Sequence, residues 1–253
     1  MLLADALDAE SGVVCVVGAG GKKTTLYTLA NALDRTAVTA TVRIPIFDEA
    51  VTAVHATESP AAALAGTTTW PVGVVAERER QDRYAGYDPA VVDRLAGRIR
   101  PHASPDEALA DVLLVKADGA RTRWLKAPDD REPQLPREAD VVIPIASARV
   151  VGEPLSDERV HRPERVAALT GLSPGDRISA TDVATVLASR DGGLKDVPPD
   201  AAVVPLVNMV DDDDLERTGR AVAEAVLDRA GDRIERVVLA RMIDPDPLVD
   251  VVD

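Results

Sequence analysis

Short, mostly apolar runs recur along this chain, bounded by polar or charged residues, glycine or proline. They fall at residues 13–17, 36–42, 70–76, 112–115, 139–146, 201–207 and 234–240. Runs this short, rich in valine and other β-branched residues, read as strands covered on both faces, the habit of a parallel sheet. A second rhythm lies between them. Leu26, Leu29, Ala30 and Leu33 recur at helical spacing, as do Leu215, Val222 and Val226, so each set lines one face of an amphipathic helix. Further helices are expected over 48–65 (broken near Ser59-Pro60), from Asp88 with Pro89 in its first turn, and over 181–189. Strand alternating with helix predicts an α/β domain, a mostly parallel sheet flanked by helices. The texture changes after Val150, and residues 150–196 read as a small helical insertion within a single domain spanning 1–253. Residues 77–87 read as a charged connection and 121–136 as a long irregular loop. Pro144 marks an edge strand or a strand end.

Composition changes this picture in three ways. With 46% hydrophobic but only 2% aromatic residues, Val, Ala, Leu and Ile must fill the core. The 43 acidic residues against 29 basic ones leave a net charge of −14, and only five of the basic residues are lysine. Such a surface opposes binding to nucleic acid and suits a protein kept soluble in concentrated salt, a halophilic trait. No apolar run is long enough to span a membrane, and Met1-Leu2-Leu3-Ala4-Asp5 lacks the basic start of a signal peptide, so a cytoplasmic location is expected. Cys15 is alone, which rules out an intramolecular disulfide and a cysteine-based zinc site.

The first apolar run leads into Gly18-Ala19-Gly20-Gly21-Lys22-Lys23-Thr24-Thr25 at the start of the first amphipathic helix. Strand, glycine-rich turn and helix N-terminus make a cradle for phosphate. Backbone N–H groups and the positive end of the helix dipole face the anion, a lysine adds charge, and the hydroxyl of Thr24 can hold Mg2+. Gly18 lies too close to Gly21 for the standard phosphate-loop spacing. Either Lys22 or Lys23 could be the phosphate lysine, with Lys23 better placed for the usual Lys-Thr adjacency.

Three further strand ends carry chemistry, because ligands of open α/β sheets sit beyond the carboxyl ends of the strands. Thr39, Thr41 and Arg43 close one. Asp118-Gly119 closes another, where the acid can hold Mg2+ or its water and the glycine N–H can approach a terminal phosphate. Asn208-Met209-Val210-Asp211 closes the third. It reads as a guanine-reading Asn-Lys-x-Asp with Met in place of Lys, or equally as an acidic helix cap. The expected cofactors are Mg2+ and a nucleoside triphosphate, GTP or ATP. Lys22, Lys23 and Asp118 are the expected catalytic residues, with Thr24 and Asp118 toward the metal. His161-Arg162 and the basic loop at 121–136 either meet the ligand or serve packing and solvation.

Several fragments, taken in order, resemble one family over roughly residues 12–242. They are Val17-Gly18-Ala19-Gly20-Gly21-Lys22, Ala117-Asp118-Gly119-Ala120-Arg121, Leu125-Lys126-Ala127-Pro128 with Glu132-Pro133, His161-Arg162-Pro163-Glu164, Gly192-Gly193-Leu194-Lys195 and Asn208-Met209-Val210-Asp211. The set resembles the YqeC family of selenium-dependent hydroxylase accessory, or selenium cofactor biosynthesis, proteins. The resemblance implies a three-layer, P-loop NTPase-like fold. It also implies an accessory role in maturing a molybdenum hydroxylase, with that client or its cofactor as partner. By motif, Gly18, Gly20, Gly21, Lys22 or Lys23 and Thr24 would form the phosphate loop, Asp118 and Gly119 the acid and backbone contact, and Asn208 with Asp211 the base reader. This chain departs from the family pattern at Lys116, where a Glu is usual, at the additional lysine of the loop, and at Met209. The function expected is slow NTP hydrolysis linked to delivering or modifying a metal-site component. The alternatives are a nucleotide-gated binding module without turnover, and a small-molecule kinase.

Overall fold

The computed structural model describes residues 1–253 throughout. Its main sheet runs, in chain order, through Gly12–Gly18 (β1), Thr36–Ala40 (β2), Ala53–Ala56 (β3), Val72–Val75 (β4), Val112–Lys116 (β5), Val141–Ser147 (β6), Leu206–Asn208 (β7), Val237–Ala240 (β8) and Leu248–Val252 (β9). Across the sheet the order is β9-β8-β7-β6-β1-β5-β2-β4-β3, and Ala202–Val203 pairs with β6 as a tenth strand. Every pairing is parallel except β8 with β9. The valine-rich character of β1 is explained by its position at the centre, between β5 and β6, where both faces are covered.

The pleat divides that strand. Val14 and Val16 enter one core with Leu26 and Leu29 of Lys22–Ala32, while Val13, Cys15 and Val17 enter another with Val92 and Leu95 of Pro89–Ala96. A third core joins Pro163–Thr170, Ala180–Ala188 and Asp213–Ala230 to the far half of the sheet through Val166, Val183, Leu187, Val222 and Leu239. The result is three layers, helix on sheet on helix. Leu26, Leu114 and Ile143 are fully buried, and each such side chain contributes about 1.5–3 kcal/mol by leaving water.

Several expectations are corrected at the element level. Residues 48–65 are not one broken helix: a short 3-10 turn, the strand β3 and the helix Pro60–Ala65 share them. The β-branched Val51, Thr52, Val54 and Thr57 lie in or beside a mostly exposed edge strand. Residues 77–87 contain the hairpin of Glu77–Arg80 and Arg83–Ala85, which Ile44–Pro45 extends to a second, three-stranded sheet. Pro144 lies in a central strand, not at an edge. Its missing N–H points to the neighbouring strand where that strand is itself interrupted, between the pairing of Val142 with Val203 and that of Ile145 with Leu206. Residues 150–196 carry the crossover that any parallel β6-to-β7 connection requires, and they share the third core. The Pro- and Asp-rich C-terminal tail ends as the antiparallel edge strand β9.

Candidate functional site

Parallel strands bring their carboxyl ends to one rim, and the glycine turn lies there between β1 and Lys22–Ala32. Gly18 and Gly21 take φ of 86° and 129°, conformations a side chain would strain. A Cβ on Gly18 would overlap the Ile145 carbonyl, and one on Gly21 would overlap the Asn208 amide. The turn is thus wedged against β6 and β7. Ala19 N–H donates to Ile145 O at 2.8 Å and Gly18 N–H to Asp118 Oδ2 at 2.9 Å. The next five N–H groups, on Gly20, Gly21, Lys22, Lys23 and Thr24, find no acceptor within the protein, and no side chain caps the helix. Five successive free donors at a helix N-terminus form a concentrated anion-attracting array.

Behind this array lies a buried ionic cluster. Lys22 turns inward: its ammonium sits 2.8 Å from Asp118 Oδ1 and also donates to Gly18 O. Lys126 approaches the other side of Asp118, 2.9 Å from Oδ2, and reaches Glu132 Oε2 at 2.6 Å. Lys22, Lys126 and Asp118 are 6%, 3% and 2% exposed. Burial alone would raise the Asp118 carboxyl, but the ammoniums of Lys22 and Lys126 outweigh it and hold the group below the ordinary carboxylate range. Lys116, two residues earlier at the end of β5, has no carboxylate partner. It donates to Arg43 O at 3.0 Å and Asp118 O at 2.7 Å, and burial, reinforced by Lys22, lowers it to about 7.

Glu132 extends the cluster outward. Its carboxylate accepts from Gly119 N–H at 3.2 Å, from Lys126, and from Arg162 Nη1 at 2.7 Å, while Lys195 donates to its backbone carbonyl at 2.8 Å. Arg162 also donates to Asp129 Oδ2 at 2.5 Å. Burial, then Lys126 and Arg162, lowers the neighbouring His161 to about 4, and its Nδ1 is buried without a partner. A cavity of ≈ 20 Å³ lies among Gly18, Asp118, Lys126, Ile145, Leu187 and Gly193, room for about one water.

The rim gathers some expected residues and leaves others apart. Gly18 to Gly21, Lys22, Thr24, Asp118, Gly119 and Asn208 meet there. Asn208 is used as a strut: its Nδ2 donates to Gly20 O at 2.8 Å and its Oδ1 accepts from Met242 N–H at 3.3 Å. Asp211 is paired with Arg149 at 2.5 Å. Lys23 is exposed while Lys22 is the lysine engaged, against the Lys-Thr adjacency argument. Thr25 is buried with its hydroxyl turned to Gly21 O, at 3.2 Å. The side chain of Arg43 pairs with Glu79 in solvent, and only its carbonyl joins the cluster. Thr41 donates to Gln134 O at 2.6 Å, and Thr39 is fully buried with no partner for its hydroxyl.

Lys116, Lys126, Glu132 and Arg162 were not foreseen as one cluster. A signal existed in the composition. The chain has only five lysines, Lys22, Lys23, Lys116, Lys126 and Lys195, and four of them join this network while the fifth neighbours it.

With this geometry in hand, comparison with known proteins becomes specific. The model of the YqeC protein family matches residues 14–164, which contain the glycine turn, Asp118, Lys126, Glu132 and Arg162. The chain belongs to the YqeC family. It is 31% identical to the uncharacterized protein YqeC of Escherichia coli (strain K12) over 202 residues, 78% of this chain and 75% of that protein. No solved structure matches it. No helix is long and apolar enough to cross a membrane.

Proposed function

We propose that this YqeC-family protein binds a nucleoside triphosphate with Mg2+ at the glycine turn and hydrolyses it slowly. The observation that carries the reading is the row of five free N–H groups from Gly20 to Thr24, with a buried lysine at its base. A polyphosphate would satisfy those donors at little reorganisation cost. Lys22 is held within reach of the turn by Asp118, so its charge is preorganised for the anion.

The donor set fits the metal only in part. Thr24 is half-buried and its hydroxyl has no partner, so it suits a cation shared with phosphate oxygens. Asp118 does not suit one, because both of its oxygens face ammoniums. Bound Mg2+ would neutralise charge developing on the transferred phosphoryl group. Asp118 would act through Lys22 and the loop. No carboxylate or imidazole here is both free and aimed at the turn, which is why turnover would be slow. Isothermal titration with GTP and with ATP, each with Mg2+ in high KCl, tests binding and the base preference together. Phosphate release that survives Lys22→Ala with Lys23→Ala would overturn the hydrolysis half.

The locked state of Asp118 favours a second reading, a nucleotide-gated binding module without turnover. Tight nucleotide binding with no phosphate release selects it. A role in maturing a molybdenum hydroxylase, selenium-dependent or not, is supported by the family resemblance alone. Its test is the activity of such hydroxylases in cells lacking this gene; unchanged activity removes that role.

A further inference from the structure

We propose that the Glu132 carboxylate occupies a second oxyanion subsite, built by Gly119 N–H, Lys126 and Arg162, and leaves it when a ligand's oxyanion arrives. The proposal goes beyond nucleotide binding at the glycine turn and rests on that reading only for one of the two ligand sources below.

Three observations carry it. First, the Glu132 carboxylate has the surroundings of a bound anion: a backbone N–H at 3.2 Å, an ammonium at 2.6 Å and a guanidinium at 2.7 Å converge on it. This mixture of point charge, planar donor and main-chain N–H is how proteins hold phosphate and carboxylate ligands. Second, the donors come from segments other than the one that carries the carboxylate, so the Glu132 side chain can swing away without moving them. Gly119 follows β5, Lys126 lies in the short strand Leu125–Lys126, and Arg162 follows its partner strand Val160–His161. Glu132 sits in a stretch without regular structure between Lys126 and β6. That stretch is tied down by Lys195 on the Glu132 carbonyl, by Gln134 N–H on Ala117 O at 2.9 Å and by Thr41 on Gln134 O. Third, the charges leave a surplus when Glu132 is set aside. Lys22, Lys126 and Arg162 would then face Asp118 and Asp129 alone, and a surplus of desolvated cations needs an anion. Glu132 is 17% exposed at its side chain, so a solvent-borne anion can compete for the place.

The ligand chemistry is a phosphate or carboxylate. It can come from the terminal phosphate of the nucleotide on the adjoining turn, or from an acidic second substrate. The full-length protein and its Glu132→Gln variant are titrated at fixed salt with inorganic phosphate, then with ATP, ADP, GTP and GDP. Removing the internal competitor is expected to tighten phosphate binding about 10-fold, the factor recovered when a closed state that outweighs the open one tenfold is abolished. Tightening for ATP or GTP but not for ADP or GDP assigns the subsite to the terminal phosphate. Tightening for inorganic phosphate that persists with nucleotide bound assigns it to a second substrate. Folded Glu132→Gln with no gain for any anion overturns the proposal and makes Glu132 a structural clasp. Should Glu132→Gln not fold, Glu132→Asp retains the charge but withdraws it from Gly119, and the same gain or absence of gain decides. A wild-type protein that binds no nucleotide would remove the reading of the glycine turn, while the phosphate titration would still judge the subsite.

Discussion

At the scale of single residues the cluster around Asp118 dominates. A carboxylate shared by two buried ammoniums contributes little net stability, but removing it leaves uncompensated charge inside the protein. Asp118→Asn is therefore expected to cost about 3–5 kcal/mol in urea unfolding; a loss below about 1 kcal/mol would mean that the ammoniums are already solvated. Acid should act in the same direction. The Asp118 and Glu132 carboxyls are held below their unfolded values, and the stability they confer is lost as pH falls through them. His161, lowered from 6.5 to about 4, adds a loss between those values, because the unfolded chain takes up its proton first. Lys116 works on the alkaline side. Its folded value of about 7 lies below the usual 10.5, so the unfolded state holds the extra proton between them and stability rises with pH across that window. Lys116→Met should abolish that rise. Thermal midpoints measured from pH 6 to 10 on both proteins check it, and parallel curves would show that Lys116 is not buried in its charged form.

At the scale of elements, what could be read from sequence depended on how local the cause was. β1, Lys22–Ala32 and the Asp88 cap, whose Oδ1 accepts from Ala90 N–H at 2.9 Å, were legible because apolar runs, glycine and cap residues act over a few positions. The edge strand β3 was not, since its mostly exposed residues carry no apolar run and the strand exists because a neighbour offers a ladder; β9 was not either, because Asp250 divides its apolar residues and it pairs only by folding back on β8. The rim showed the same division. Gly18, Lys22 and Asp118 announced themselves as strand-end motifs, whereas the convergence of Lys126, Glu132 and Arg162 depends on three irregular segments meeting. Asp211 and its neighbours had two readings, a base reader and an acidic cap for the helix Asp213–Ala230. Asp212 caps it by accepting from Leu215 N–H at 2.8 Å. Asp212→Ala should cost about 1 kcal/mol, measured by chemical denaturation, and leave nucleotide binding untouched. A loss of binding without loss of stability would return the acidic run to the ligand.

At the scale of the whole molecule, charge is unevenly spent. The chain carries −14 overall, yet four of its five lysines and Arg162 point into one small volume at the strand ends. Long-range repulsion among surface acids should weaken the folded state in dilute buffer, because the screening length there reaches about 10 Å at 0.1 M salt. Salt also weakens the exposed pairs such as Arg217 with Asp214 and Arg165 with Asp130, but pairs of that kind contribute only about 0–1 kcal/mol each. The central cluster is desolvated and is screened far less. Relief of repulsion should therefore win, and the thermal midpoint is expected to climb steadily from 0.1 to 2 M KCl. Asp118→Asn should show the same slope from a lower start, since its defect lies where salt does not reach. A flat or falling midpoint in the wild type would mean that the acidic surface is already neutralised by its own arginines. A steeper slope in Asp118→Asn would place the cluster within reach of solvent, against the 2% exposure of that carboxylate.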